Sequence, residues 1–184
     1  MSRKGKGRKG EGTQGKGGRD RLDLVVVKFI EDSFRFFWMR GSGGGGFEAP
    51  LDLMEAPSVF GYDVSFVKLV DMDRDGVLDL VVAMALTQVS DKLIFVAWGR
   101  GGGRFSAWES LITLAFPTNR VVCLEFADFD SDGYLDVVFA TSLQTLQIAV
   151  NKRGRSQMML STVLQNGYIF TGCLAEDFDC KLNF

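Results

Sequence analysis

The sequence predicts an all-β chain assembled from about three repeated, four-stranded antiparallel units, and three observations carry that prediction. First, one acidic loop occurs twice, as Asp71-Met72-Asp73-Arg74-Asp75-Gly76-Val77-Leu78-Asp79 and as Asp128-Phe129-Asp130-Ser131-Asp132-Gly133-Tyr134-Leu135-Asp136, 57 residues apart. Second, each copy runs straight into a short apolar stretch, Leu80-Val81-Val82-Ala83 or Val137-Val138-Phe139-Ala140, of the kind that forms buried strands. Third, glycine runs that end in phenylalanine, at residues 41–47 and 99–105, punctuate the apolar segments at matching places. With 184 residues, 46% of them hydrophobic, the chain is large enough for one domain with a real core.

The first 21 residues stand apart. They carry eight Lys/Arg against two acids, are rich in glycine, and contain no apolar residue beyond Met1. Such a segment has nothing to bury, so a disordered basic tail is expected over 1–21. An arm for nucleic acid or another anionic surface is the rival reading, weakened because no aromatic is interleaved to stack on bases. The positive charge is not followed by an apolar core segment, so it does not read as a signal peptide, and no apolar run reaches the about 18 residues of a membrane span.

Residues 22–184 divide into repeats at about 22–66, 67–123 and 124–173, with a further one starting at 174–184. In the first, Leu22-Asp23-Leu24-Val25-Val26-Val27 matches Leu78-Asp79-Leu80-Val81-Val82 in frame. Asp23 then falls at loop position 9, but Gly15, Gly17 and Arg19 occupy positions 1, 3 and 5, so this repeat keeps its strand and is expected to hold no cation. Ser33-Phe34-Arg35-Phe36-Phe37-Trp38-Met39 reads as the next strand, the glycines after it as a hairpin, and Phe47 as the restart of a strand. The second repeat runs loop, strand, Lys92-Leu93-Ile94-Phe95-Val96-Ala97-Trp98, glycine run and Phe105. The glycines lack the Lys-Ser/Thr of a phosphate cradle and read as turns. The third repeat has the alternating Val121-Val122-Cys123-Leu124-Glu125-Phe126 before its loop, and Leu146-Gln147-Ile148-Ala149-Val150-Asn151 and Gly154 after it. In the fourth, Leu174-Ala175-Glu176-Asp177-Phe178-Asp179 restarts the pattern, but Lys181 at position 5 argues against a formed site.

Strand, loop, strand, long connection, strand, glycine hairpin, strand gives four strands per unit of about 56 residues, the arithmetic of a β-propeller blade. The predicted architecture is therefore a partial β-propeller, an open arc. Trp38, Trp98 and Trp108 are expected between blades. An arc leaves apolar faces at both ends, so the remaining blades of a longer chain, or self-association, are expected to cover them, the chain reading as a piece cut mid-repeat.

The loops carry the chemistry. Ca²⁺ takes about 6–8 oxygens, and carboxylates at alternating positions converge when the chain curls around a glycine. The predicted ligands are Asp71, Asp73, Asp75, the backbone carbonyl of Val77 and Asp79 in one loop. In the other they are Asp128, Asp130, Asp132, the carbonyl of Tyr134 and Asp136. Uncompensated, each pair of these carboxylates about 4 Å apart repels by about 1–4 kcal/mol. An EF-hand is excluded, because Val82 and Phe139 stand where its bidentate Glu belongs and strands replace the exiting helix. Mg²⁺ fits less well, since it seldom uses an all-protein cage. The bland alternative is an acidic turn that keeps a strand end soluble.

The pattern Asp-x-Asp-x-Asp-Gly-x-x-Asp followed by a strand resembles the calcium loop of FG-GAP and VCBS repeats, the units of the integrin α propeller. Phe60-Gly61-Tyr62 resembles the Phe-Gly of that family, although it lies 11 residues before Asp71, and the second copy has none. Phe126-Ala127-Asp128-Phe129-Asp130 is also similar to the T-cell immunomodulatory protein family. The resemblance implies two Ca²⁺ sites, a structural or recognition role in adhesion or in binding a protein or glycan, and an extracellular or ectodomain location. A non-catalytic accessory module of a larger secreted enzyme is the alternative. Catalysis finds no support: the chain has no histidine, and Cys123, Cys173 and Cys180 lack Cys-x-x-Cys spacing. In a secreted chain Cys173 and Cys180 could pair, leaving Cys123 as a core residue.

Overall fold

A computed structural model of the chain describes residues 22–56, 62–86, 92–113, 120–152 and 158–165. The basic tail, Phe60-Gly61, Cys173, Cys180 and the start of the fourth repeat lie outside these residues. Among the described residues every regular element is a strand. β1 (Leu24–Ile30), β2 (Ser33–Met39) and β5 (Leu51–Glu55) form a three-stranded sheet, with a small hairpin of β3 (Gly41–Gly43) and β4 (Gly46–Phe47) beside it. β6 (Tyr62–Val70), β7 (Asp79–Leu86), β8 (Lys92–Ala97) and β9 (Glu109–Thr113) form a second sheet in that order. β10 (Val121–Ala127), β11 (Asp136–Thr141), β12 (Thr145–Asn151) and β13 (Met158–Gln165) repeat the arrangement. Every neighbouring pair is antiparallel. These are the blades of a partial β-propeller.

Local sequence explains the turns. Glu31 and Asp32 both take positive φ, 47° and 64°, and join β1 to β2 in a two-residue hairpin, a geometry whose twist matches the strands it connects. Gly43, Gly44 and Gly45, and again Gly101, Gly102 and Gly103, occupy the left-handed region that the glycine runs predict. The phenylalanines after those runs behave differently from expectation. Phe47 belongs to the two-residue β4, and Phe105 makes one isolated bridge to Gly99. The outer strands begin only at Leu51 and Glu109. At the second hairpin the reason is visible: the backbone N–H of Ser106 donates to Trp98 O, and its hydroxyl accepts from the Trp98 N–H, which closes the hairpin mouth before the chain turns outward.

Packing between sheets follows the pleat. Along β7, Leu80, Val82 and Met84 face the first sheet in a core with Phe36 and Phe95, while Val81 and Ala83 face the third with Leu124, Val137 and Phe139. Adjacent residues point to opposite faces, so a strand buried on both sides must be apolar throughout, as Leu80-Val81-Val82-Ala83 is. Trp98 lies in the core between the second and third sheets. Trp108 packs 5.5 Å from Phe36 in the other core and donates its indole N–H to Glu55 O. The ring of Trp38 lies directly over Gly103 of the next hairpin. Lys68 and Glu125, which occupy equivalent places one repeat apart, bridge the second and third sheets, with Nζ 3.0 and 3.1 Å from the two carboxylate oxygens.

Cys123 is a buried core residue of β10, as expected, but it is also disulfide-bonded, which was not. Strand spacing alone could not show this, because pairing depends on which segments the fold brings alongside β10.

Gly99 marks the closest approach of hairpin to loop. A Cβ there would lie 2.3 Å from Leu78 O and 2.7 Å from Val77 Cγ1. Backbone cannot yield as a flexible side chain can, so Gly99→Ala is expected to lower unfolding free energy by about 1–3 kcal/mol in denaturant titration. Gly44→Ala, with open space around its Cβ, is expected to show only the smaller cost of positive φ.

Candidate metal centre

Each acidic loop is built by its own carboxylates. In the first, Asp71 Oδ1 accepts from the Asp75 N–H at 3.2 Å and Oδ2 from the Gly76 N–H at 3.0 Å. Asp73 Oδ1 also accepts from the Asp75 N–H, at 3.2 Å, and Asp75 Oδ1 accepts from the Val77 N–H, at 2.8 Å. The second loop repeats all four bonds through Asp128, Asp130 and Asp132, at 3.1, 2.8, 3.3 and 2.9 Å. Side-chain oxygens folding back onto amides two to five residues ahead curl the chain into a tight coil. The coil requires positive φ at position 6, where Gly76 and Gly133 sit at 81° and 87°, and also at position 4, where Arg74 and Ser131 sit at 62° and 59°. Position 6 is legible as glycine; position 4 carries no such mark, and the carboxylate bonds on either side hold it.

Position 9 does something different. Asp79 is wholly buried, and its Oδ2 accepts from the Met72 N–H at 2.9 Å, at the mouth of its own loop. Its Oδ1 accepts from the Gly99 N–H at 2.7 Å, in the hairpin that follows β8. Asp136, equally buried, binds the Phe129 N–H and the Asn151 N–H, both at 2.8 Å. Asp23 makes the equivalent hairpin bond to the Gly41 N–H at 3.0 Å, and its other oxygen takes the Trp38 indole N–H at 3.0 Å. The first repeat has lost the acids of positions 1, 3 and 5 but keeps the clamp between strand and hairpin.

These placements bring together Asp71, Asp73 and Asp79, each with an oxygen within 4.8 Å of the others, and likewise Asp128, Asp130 and Asp136. Asp75 and Asp132 fall outside those trios, and Val77 and Tyr134 are held through their N–H groups. Burial, opposed by the bonds from Gly99 and Met72 and reinforced by the charges of Asp73 and Asp75, pushes the Asp79 carboxyl above its ordinary range. In the second loop Lys152 Nζ lies 2.5 Å from Asp130 Oδ2; this bond lowers the Asp130 pKa and raises that of Lys152.

Three residues near the loops were not foreseen. Asn151 donates from Nδ2 to Met72 O at 3.0 Å and to Leu135 O at 3.2 Å, so one buried amide group joins the two loops. The Arg74 guanidinium lies 5.3 Å from the centre of the Tyr134 ring, a second link. Lys152 is the third. A repeat-by-repeat alignment puts Asn151 and Lys152 opposite Gly99 and Arg100, which locates them at the hairpin but does not reveal where their side chains point.

Residues 71–139 match the family model of the FG-GAP-like repeat. The chain carries an FG-GAP-like repeat. The match opens at Asp71, the first acid of one loop, and closes at Phe139 in the strand after the other, so it spans both acidic loops. FG-GAP-like repeats form structural or recognition modules, and the all-β blades agree with that class. No curated protein shows significant similarity to the chain.

Asp79→Asn tests the clamp separately from any cation. An amide has one acceptor oxygen where the carboxylate has two, so one buried N–H is left without a partner. In chelator the variant is expected to lose about 1–3 kcal/mol of unfolding free energy. Asp73→Asn, which removes a charge that repels Asp79, is expected to be neutral or stabilising under the same conditions.

Proposed function

We propose that each intact loop holds one Ca²⁺, and that the FG-GAP-like repeat of this chain works as a calcium-stabilised structural and recognition module. Asp71, Asp73, Asp75, the Val77 carbonyl and Asp79 would hold one ion. Asp128, Asp130, Asp132, the Tyr134 carbonyl and Asp136 would hold the other. One observation carries the reading: a fully buried carboxylate, Asp79, faces two further carboxylates and, among the described residues, has no ion pair with a basic side chain. Buried charge of that kind calls for a compensating cation. Each oxygen of Asp79 and Asp136 spends one lone pair on an amide and keeps another for a metal. A hard, all-oxygen donor set suits Ca²⁺ better than a transition metal.

In this reading the ion neutralises the trio, fixes the loop against the hairpin clamp, and so fixes the blade edge from which partners are reached. The module is non-catalytic, a reading supported by the lack of histidine and by the use of the loop acids as ligands. Its partner is a protein or glycan, or further blades packed on the end faces. The disulfide at Cys123 supports an oxidising, extracytoplasmic setting, where ambient calcium is also high.

Calorimetric titration of the purified chain with calcium, with melting followed in calcium and in chelator, tests the proposal. A stoichiometry near two is expected, with about 2.7 kcal/mol of added stability at a hundredfold excess over Kd. A folded chain that gives neither heat nor a shift in melting would overturn it.

A further inference from the structure

The second loop holds a cation supplied by its own chain. Lys152 follows Asn151, whose N–H is bound by Asp136 and whose side chain is anchored to Met72 O and Leu135 O. The buried Asn151 therefore sets the start of Lys152 at the rim of the second loop. From there its ammonium group reaches Asp130 Oδ2, one member of the trio, at 2.5 Å. Resting on the calcium reading above, we infer that Lys152 is an intrinsic competitor for the second loop, which sets that loop's calcium affinity below what its own oxygens would give.

The physical basis is exclusion by charge. Asp130 Oδ2 cannot serve the ammonium group and a dication equally, and two positive groups at one carboxylate repel each other. Calcium entry must therefore break the ion pair and turn Lys152 outward. The pair is half-exposed, with side-chain accessibilities of 49% for Lys152 and 30% for Asp130, so the cost is that of a surface ion pair rather than a buried one. That cost corresponds to a weakening of about two- to fivefold. The second loop is then graded, responding over a higher range of calcium than the same loop without its lysine.

The test reads the second loop alone, in a chain whose first loop is silenced by Asp71→Asn and Asp73→Asn. Calcium affinity is measured by calorimetry with Lys152 retained, with Lys152→Met and Lys152→Arg. Lys152→Met is expected to tighten binding by about two- to fivefold, with the gain shrinking at high salt as screening weakens the competition. Lys152→Arg is expected to stay close to the parent. Unchanged or weaker binding in Lys152→Met would overturn the inference, and Lys152→Gln guards against an effect peculiar to methionine. Failure of the unsubstituted chain to bind calcium at all is a separate result: it overturns the calcium reading and this one with it.

Discussion

A buried carboxylate at the head of each central strand ties together the loop entrance and the hairpin that the strand ladders on its two sides bring alongside it. Asp79 and Asp136 each join the entrance of an acidic loop to a hairpin 20 or 15 residues farther along, through two short bonds to backbone N–H groups. Amides at a loop mouth and a hairpin turn lie off the strand ladders and need a partner when buried. A carboxylate is the side chain best suited to supply one, because it offers acceptors only and has two oxygens. Once the hairpin is drawn in, Gly99 must be glycine, since the loop backbone occupies the place of its Cβ. The clamp thus sets the blade's shape, and the blade's shape sets which residues face the neighbouring sheet.

The same carboxylate also faces the loop acids, and so links fold and chemistry. Its burial raises the cost of its charge, and Asp73 and Asp75 raise it further. A structural requirement, the clamp, thereby creates an electrostatic demand that a hard dication would meet. Asp23 shows the two roles separated. With no acids at positions 1, 3 and 5 it keeps the hairpin bond and turns its second oxygen to the Trp38 indole instead of a loop amide. The hairpin bond therefore does not depend on the loop acids: Asp23 makes it without them.

Much of this was legible in the sequence because the informative residues are local. Asp and Gly at fixed spacing encode the coil, and a continuous run such as Leu80-Val81-Val82-Ala83 encodes a strand buried on both faces. Glycine runs encode hairpins. What escaped depends on distance. The outer strand of the second sheet starts later than Phe105 suggests, because hydrogen bonds between Trp98 and Ser106 close the hairpin first. The Asn151 bridge between loops and the reach of Lys152 to Asp130 join segments far apart in the chain, and no local pattern announces them or the disulfide at Cys123.

In the calcium reading the position-9 aspartate serves clamp and cation at once. Anomalous diffraction from crystals soaked in a lanthanide that substitutes for calcium tests it most directly. Two peaks are expected, one among Asp71, Asp73 and Asp79 and one among Asp128, Asp130 and Asp136, with the bonds from Gly99 and Asn151 retained. Peaks elsewhere, or ions bound only where Asp79 and Asp136 have released those amides, would contradict it.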